Sequence, residues 1–199
     1  MMSIMQIGKE WSLSEAALML GEPQHRLIYL CEKGVVIPDF GEAKGRGSSR
    51  RFSARNILEF AVALKLRELM LPVNAIAAVN HVMRELEKLV SREIPGFSLP
   101  LSLRKSNAPE LRIIIGDGPK LYFSLGLMDS PPRIFGGLDL TGLISREKRG
   151  RGSGLKKLSS SHALAVDETA AASKPKTATY KARLEVNVTA MAGDLSLKE

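Results

Sequence analysis

The sequence predicts an α+β fold, with helices first and strands after, on three observations. Over residues 1–94, apolar side chains recur at three-and-four spacing between residues that start and stop helices. Over 95–145, and again over 180–192, short β-branched and aromatic runs are punctuated by Gly, Pro and Asp. Between them, 146–179 is rich in Gly, Ser, Ala, Lys and Thr and has no sustained apolar pattern. We therefore expect a helical module over 1–94, a small β-rich module over 95–145 plus 180–192, and a disordered basic and polar linker over 146–179. A chain of 199 residues has room for two such small cores.

The helices follow in order. Ser12-Leu-Ser-Glu15 has the spacing of a capping box, in which hydroxyl and carboxylate satisfy each other's orphan amides, so a helix is predicted over Leu13 to Leu20. Gly21 tolerates the positive φ that ends it, and Glu22-Pro23 leads into a second helix, Gln24 to Lys33. Leu27, Leu30 and Cys31 share one face of that helix, leaving Gln24, His25, Arg26 and Tyr29 outward. Two short helices about a Gly turn make a helix-turn-helix. Gly34 should end the second helix in a left-handed conformation, and Pro38 prevents its resumption. A helix pair is expected next, Ala54 to Met70 and Val73 to Val90. In the last of these, Ile76, Val79, Met83, Leu86 and Val90 form a narrow apolar seam suited to a partner helix or to the chain's own core.

The β-rich part begins with an alternating stretch, Phe97 to Leu103, as a candidate strand. Leu111-Arg-Ile-Ile-Ile115 and Leu121-Tyr-Phe-Ser-Leu125 flank Gly116-Asp-Gly-Pro119 and predict a hairpin. Ile134 to Leu140 supplies a further strand after the Asp129-Ser-Pro-Pro132 turn. Tyr180, Ala182, Leu184, Val186 and Val188 alternate with polar residues, predicting a half-buried strand that closes the sheet across the long gap.

Between the second and third helices, Gly41 to Ser53 sets Lys44, Arg46, Arg50 and Arg51 among three glycines. Glycine permits close approach of the backbone to a phosphate chain, and the four cations can displace its condensed counterions. A solvated surface loop would have the same composition, and the order of the flanking motifs is what favours a nucleic-acid-gripping wing.

Leu-Ser-Glu-Ala-Ala-Leu-Met-Leu-Gly-Glu-Pro23, Leu27-Ile-Tyr-Leu-Cys-Glu-Lys-Gly34, Pro38 and Ser-Arg-Arg-Phe-Ser53, with the helix pair after them, resemble the MerR-type winged helix-turn-helix regulators over roughly the first half of the chain. The resemblance implies that Gln24, His25, Arg26 and Tyr29 face the DNA groove, that Arg50 is the wing arginine, and that Arg51 flanks it on the backbone. It also implies double-stranded DNA and RNA polymerase as partners, a homodimer on an inverted-repeat operator, a bacterial cytoplasmic and nucleoid-associated setting, and a C-terminal module able to bind an unknown small-molecule effector between its sheet and the long helix. The chain departs from the family at Ile28, where an arginine is usual, and at Leu30, where a second aromatic is usual. Pro95-Gly96 and Pro100 interrupt the place of the family's long dimerisation helix, so the Ile76–Val90 seam or the second module would have to join the subunits.

Composition narrows the remaining classes. A formal net charge of +8 suits a polyanionic partner. There is no apolar run long enough for a bilayer, no secretory signal and no disulfide framework, so no membrane partner is expected. Cys31 is the only cysteine, and His25, His81 and His162 share no ligand spacing, so neither a metal nor another cofactor is expected. Cys31 reads as a small buried hydrophobe or as a sensing thiol, and Tyr29 as a cover on the core or a phosphate contact. Gly116-Asp-Gly118 opens no helix and so is no phosphate loop, and Ser159-Ser-Ser-His162 falls in the linker, where no catalytic geometry would be held. An enzyme is not expected. Arg146 to Lys157 is either a solvated linker or an arm on DNA phosphates. Two other functions fit the same sequence: an excisionase-like or architectural protein that bends DNA, and an adaptor that docks proteins.

Overall fold

The computed structural model describes residues 9–40, 50–127, 130–144 and 183–195. Four α-helices precede the sheet: α1 (Leu13–Leu20), α2 (Gln24–Glu32), α3 (Ala54–Glu68) and α4 (Val73–Glu93). A 3-10 turn at Leu101–Leu103 leads to strands β1 (Glu110–Gly116), β2 (Lys120–Gly126) and β3 (Arg133–Asp139), a short helix α5 (Thr141–Ile144), strand β4 (Leu184–Asn187) and helix α6 (Val188–Asp194). The chain is thus a mixed α+β protein. The predicted linker, 146–179, lies outside the described residues, as do Tyr180 and Ala182 of the predicted last strand.

Local signals account for the helix ends. The Ser12–Glu15 capping box is formed in both directions, and Gly21 ends α1 at φ 66°. Helix α2 stops one residue short of its expected end, with Lys33 as its cap, and Gly34 turns the chain at φ 68°. Helix α3 has a second capping box, Ser53 with Asn56. It ends two residues early because the amides of Met70 and Leu71 fold back onto the carbonyls of Arg67 and Leu66, at 2.9 and 3.0 Å. Helix α4 starts behind Pro72 and runs three residues past Val90.

The strands form one antiparallel sheet in the order β3-β2-β1-β4. The predicted hairpin is present, with Ile113 opposite Phe123 and Leu111 opposite Leu125. The returning segment does close the sheet, with Val186 opposite Ile113. Leu111, Ile113, Leu121, Phe123, Leu125, Phe135 and Val186 point into the core from one face.

Two strand expectations fail. Phe97 to Leu103 forms turns and the 3-10 segment, not a strand. The amide of Leu99, which a ladder would need, donates to the buried Glu87 carboxylate at 2.7 Å, and the Ser98 amide donates to Ser102 Oγ at 2.9 Å. Phe97, Leu99 and Leu103 are buried by packing and not by pleating. The last strand also stops at Asn187, whose side chain accepts from the Ala190 amide and starts α6, so Val188 is buried as a helical residue. Thr189 Oγ then accepts from the Leu111 amide at 2.7 Å and donates to the Pro109 carbonyl at 2.9 Å.

The buried apolar side chains form one contiguous cluster running from Trp11 in the helical part, through the sheet, to Leu195. Polar contacts cross the same junction. Arg55 of α3 pairs with Glu87 of α4 at 2.9 Å, Glu87 takes the Leu99 amide, and Arg133 of β3 pairs with Glu93 at the end of α4. Arg55 Nε is close to Glu87 but poorly aligned, so this contact is better read as an ion pair than as a hydrogen bond.

Ile76, Val79, Met83, Leu86 and Val90, the seam read from the sequence as a dimer face or core stripe, are between 0 and 3% exposed within the single chain. Already covered within one chain, they leave no apolar face here for a partner helix. They belong to the subunit's own core.

Candidate nucleic-acid interface

Helix α2 has one buried side, Leu27 and Leu30, and one open side. Gln24, His25, Arg26 and Tyr29 are all exposed on it, as their sequence positions predict. The helix begins at Pro23, which offers no side-chain cap. Its first amides therefore have no side-chain partner, at the end where the helix dipole favours an anion. Arg26 is only partly committed: one guanidinium nitrogen lies 2.9 Å from Glu22 one turn earlier, while its side chain remains 60% exposed. Tyr29 is 41% exposed, and the Lys33 ammonium sits 5.6 Å from its ring centroid, adding a cation beside the phenol.

Arg50 and Arg51 are held in place by backbone pairing. Residues 51–52 run between two short backbone partners: Phe40 and Arg51 exchange hydrogen bonds at 3.1 and 3.3 Å, and Trp11 and Phe52 do so at 2.9 Å in each direction. The anchor is the buried Phe52 ring, edge-on to Phe60 of α3 at 5.2 Å. Arg51 is exposed and Arg50 half-buried. Lys44 and Arg46, the other two cations of the Gly/Arg stretch, lie outside the described residues.

Between α2 and the C-terminal half of α3 is a cleft of about 560 Å³. His25, Arg26 and Tyr29 wall it from one side, and Leu64, Arg67 and Glu68 from the other. Arg67 and Glu68 were not singled out from the sequence, because nothing local says that the end of α3 faces α2. The cleft is a different place from the space between sheet and long helix expected for an effector.

Cys31 sits partly buried on α2, and burial pushes its thiol up to about 11. It is therefore protonated at neutral pH, which makes it a poor nucleophile and a poor metal ligand. Among the described residues, no group of three or more His, Cys, Asp or Glu side chains could hold a metal ion. No described helix is long and apolar enough to cross a membrane.

Chemically, the open side of α2 offers an amide, an imidazole, a guanidinium and a phenol within two turns. Such groups can hydrogen-bond to base edges or to phosphate oxygens. Compared with known proteins, the chain matches no family model, and no curated protein matches it at a significant level.

Proposed function

We propose that this chain is a sequence-specific DNA-binding transcriptional regulator of MerR-like build, with α1 and α2 as its helix-turn-helix and α2 as the helix that enters the major groove. The observation that carries the reading is the open side of α2: Gln24, His25, Arg26 and Tyr29 all stand exposed behind an uncapped helix start, on a helix whose other side is fixed by Leu27 and Leu30. Arg50 and Arg51 grip the flanking backbone as a wing, and Lys44 and Arg46 add charge to it. Arg26 suits guanine and Gln24 suits adenine, while Tyr29 and the α2 amides take phosphates.

The regulator acts as a homodimer on an inverted repeat, through an interface other than the Ile76–Val90 seam, and it alters how RNA polymerase engages a promoter. The net charge of +8 supports a polyanionic partner. The reading is tested by selecting duplexes from a random pool with the full chain and repeating the selection with Arg26→Ala. The wild type should return an inverted repeat, and the variant should relax one position in each half-site by about 1–3 kcal/mol. Selection of no common sequence would contradict the proposal and favour architectural DNA bending. Failure to retain any duplex would favour a protein adaptor.

A further inference from the structure

The densest polar cluster of the described residues lies inside the protein, not on α2. Glu59 of α3 is fully buried, and both its carboxylate oxygens are taken by the Arg84 fork from α4, through Nε and through Nη2 at 2.6 Å. Asn56 Nδ2 adds a third donor at 3.0 Å. Burying an ion pair costs more desolvation than an apolar pair of the same volume, so core stability alone does not account for it.

What the cluster holds is the backbone on both sides of the Phe40–Arg51 pairing. Arg84 Nη2 donates to the Ile37 carbonyl at 2.8 Å, and Nη1 donates to Asp39 Oδ1 at 3.3 Å. Asn56 Nδ2 donates to the same Ile37 carbonyl at 2.9 Å. Asn56 Oδ1 accepts the Asp39 amide at 2.9 Å and the Ser53 amide at 3.2 Å. Ser53 Oγ closes the ring onto Asp39 Oδ2. Asn80 of α4 reaches the Val35 carbonyl at 3.0 Å and the Glu59 carbonyl at 3.2 Å. Residues 35–39 lead out of α2, and Ser53 leads into α3, so the flanks of the Arg50–Arg51 segment are tied to the buried fork, the first directly and the second through Asn56 and Asp39.

We propose that Arg84, working with Glu59, is a positioning residue for Arg50 and Arg51: it sets where these cations stand relative to α2 without touching DNA. The inference rests on the DNA-binding reading above. Because Arg84 belongs to α4, which also carries Glu87 and Glu93, the setting is made from the helix that meets the sheet. A two-arginine contact depends on register with the groove-facing helix, so a shift of its flanks weakens binding while leaving the count of phosphate contacts unchanged.

The test is anisotropy of the full chain on its own upstream duplex across a salt series, with the double variant Glu59→Leu/Arg84→Met and with Arg84→Lys. Both replace the fork, the first with apolar side chains that keep the core filled and the second with a single ammonium. The expected result is a folded variant whose affinity falls about 3–30-fold with an unchanged salt slope. Amide exchange at Asp39 and Ser53, followed without DNA, should quicken. Wild-type affinity in a folded variant overturns the inference, as does a shallower slope, which would make Arg84 a phosphate contact itself. Should the double variant not fold, Arg84→Lys decides on the same criteria. Should the wild type bind no duplex, the DNA reading fails, and unchanged exchange at Asp39 and Ser53 in Arg84→Lys would separately overturn the positioning role.

Discussion

Glu15 shows how much a single side chain sets locally. It accepts from the Ser12 amide and hydroxyl, both at 2.7 Å, and these bonds hold its carboxyl below its ordinary value of 4.5. A lowered carboxyl pKa stabilises the fold above the unfolded value and loses that stabilisation as the pH falls through the folded value. Glu15→Gln should therefore flatten part of the acid limb of a stability-versus-pH curve, measured by chemical denaturation from pH 2 to 7, and an identical limb would count against the cap. Met70 is a second case. It occupies the left-handed region at φ 62°, where a side chain costs about 1–2 kcal/mol, and it is 87% exposed, so packing returns little. Glycine loses about 0.5–1 kcal/mol of that gain to chain entropy, so Met70→Gly should raise stability by about 0.5–1 kcal/mol in a denaturant melt.

At the scale of elements, what was legible in the sequence is what neighbours in sequence decide. The starts of α1 and α2, the stop at Gly34 and the β1–β2 hairpin rest on caps, prolines, glycines and β-branched runs acting within a few residues. The strand errors came where a side chain takes over a backbone group, at a distance for Glu87 and Thr189 and three residues on for Asn187. Glu87 removes the Leu99 amide from any ladder, and Asn187 and Thr189 turn an alternating pattern into a helix start. Periodicity placed Ile76, Val79, Met83, Leu86 and Val90 on one face without saying what covers it. The exposed side of α2 was legible because Leu27 and Leu30 define its opposite. The Glu59–Arg84 fork was not drawn, although Asn56 and Glu59 fall at helical spacing with Phe60 and Ala63, a carboxylate on an apolar stripe. Strand β3 carries a local demand of its own. Gly136 has φ 117°, beside a shift of register at Leu121 and Tyr122, and a Cβ there would lie 2.6 Å from the Leu121 carbonyl oxygen. Gly136→Ala should cost about 1–3 kcal/mol or more, read as a lower denaturation midpoint.

For the whole molecule, the returning segment matters most to integrity. Val186, Val188, Ala192 and Leu195 are buried in the common cluster, and their loss removes roughly 5 kcal/mol of burial, a large part of an ordinary domain's stability. A chain ending before residue 183 should lose its cooperative thermal transition by circular dichroism, and an unchanged melt would show that the segment is dispensable. The same continuity, with the Arg133–Glu93 pair, ties the sheet to α4, the helix that carries Arg84. The proposal that these surfaces read DNA is most directly tested by fluorescence anisotropy over a salt series, using the chain's own upstream region and a scrambled duplex, with wild type and Arg50→Ala. The expected result is preference for the upstream region by about a thousandfold or more, with the variant weaker and its salt slope shallower by about 0.9 for the phosphate contact removed. Equal affinity for both duplexes, or a variant that binds like the wild type at every salt concentration, would contradict it.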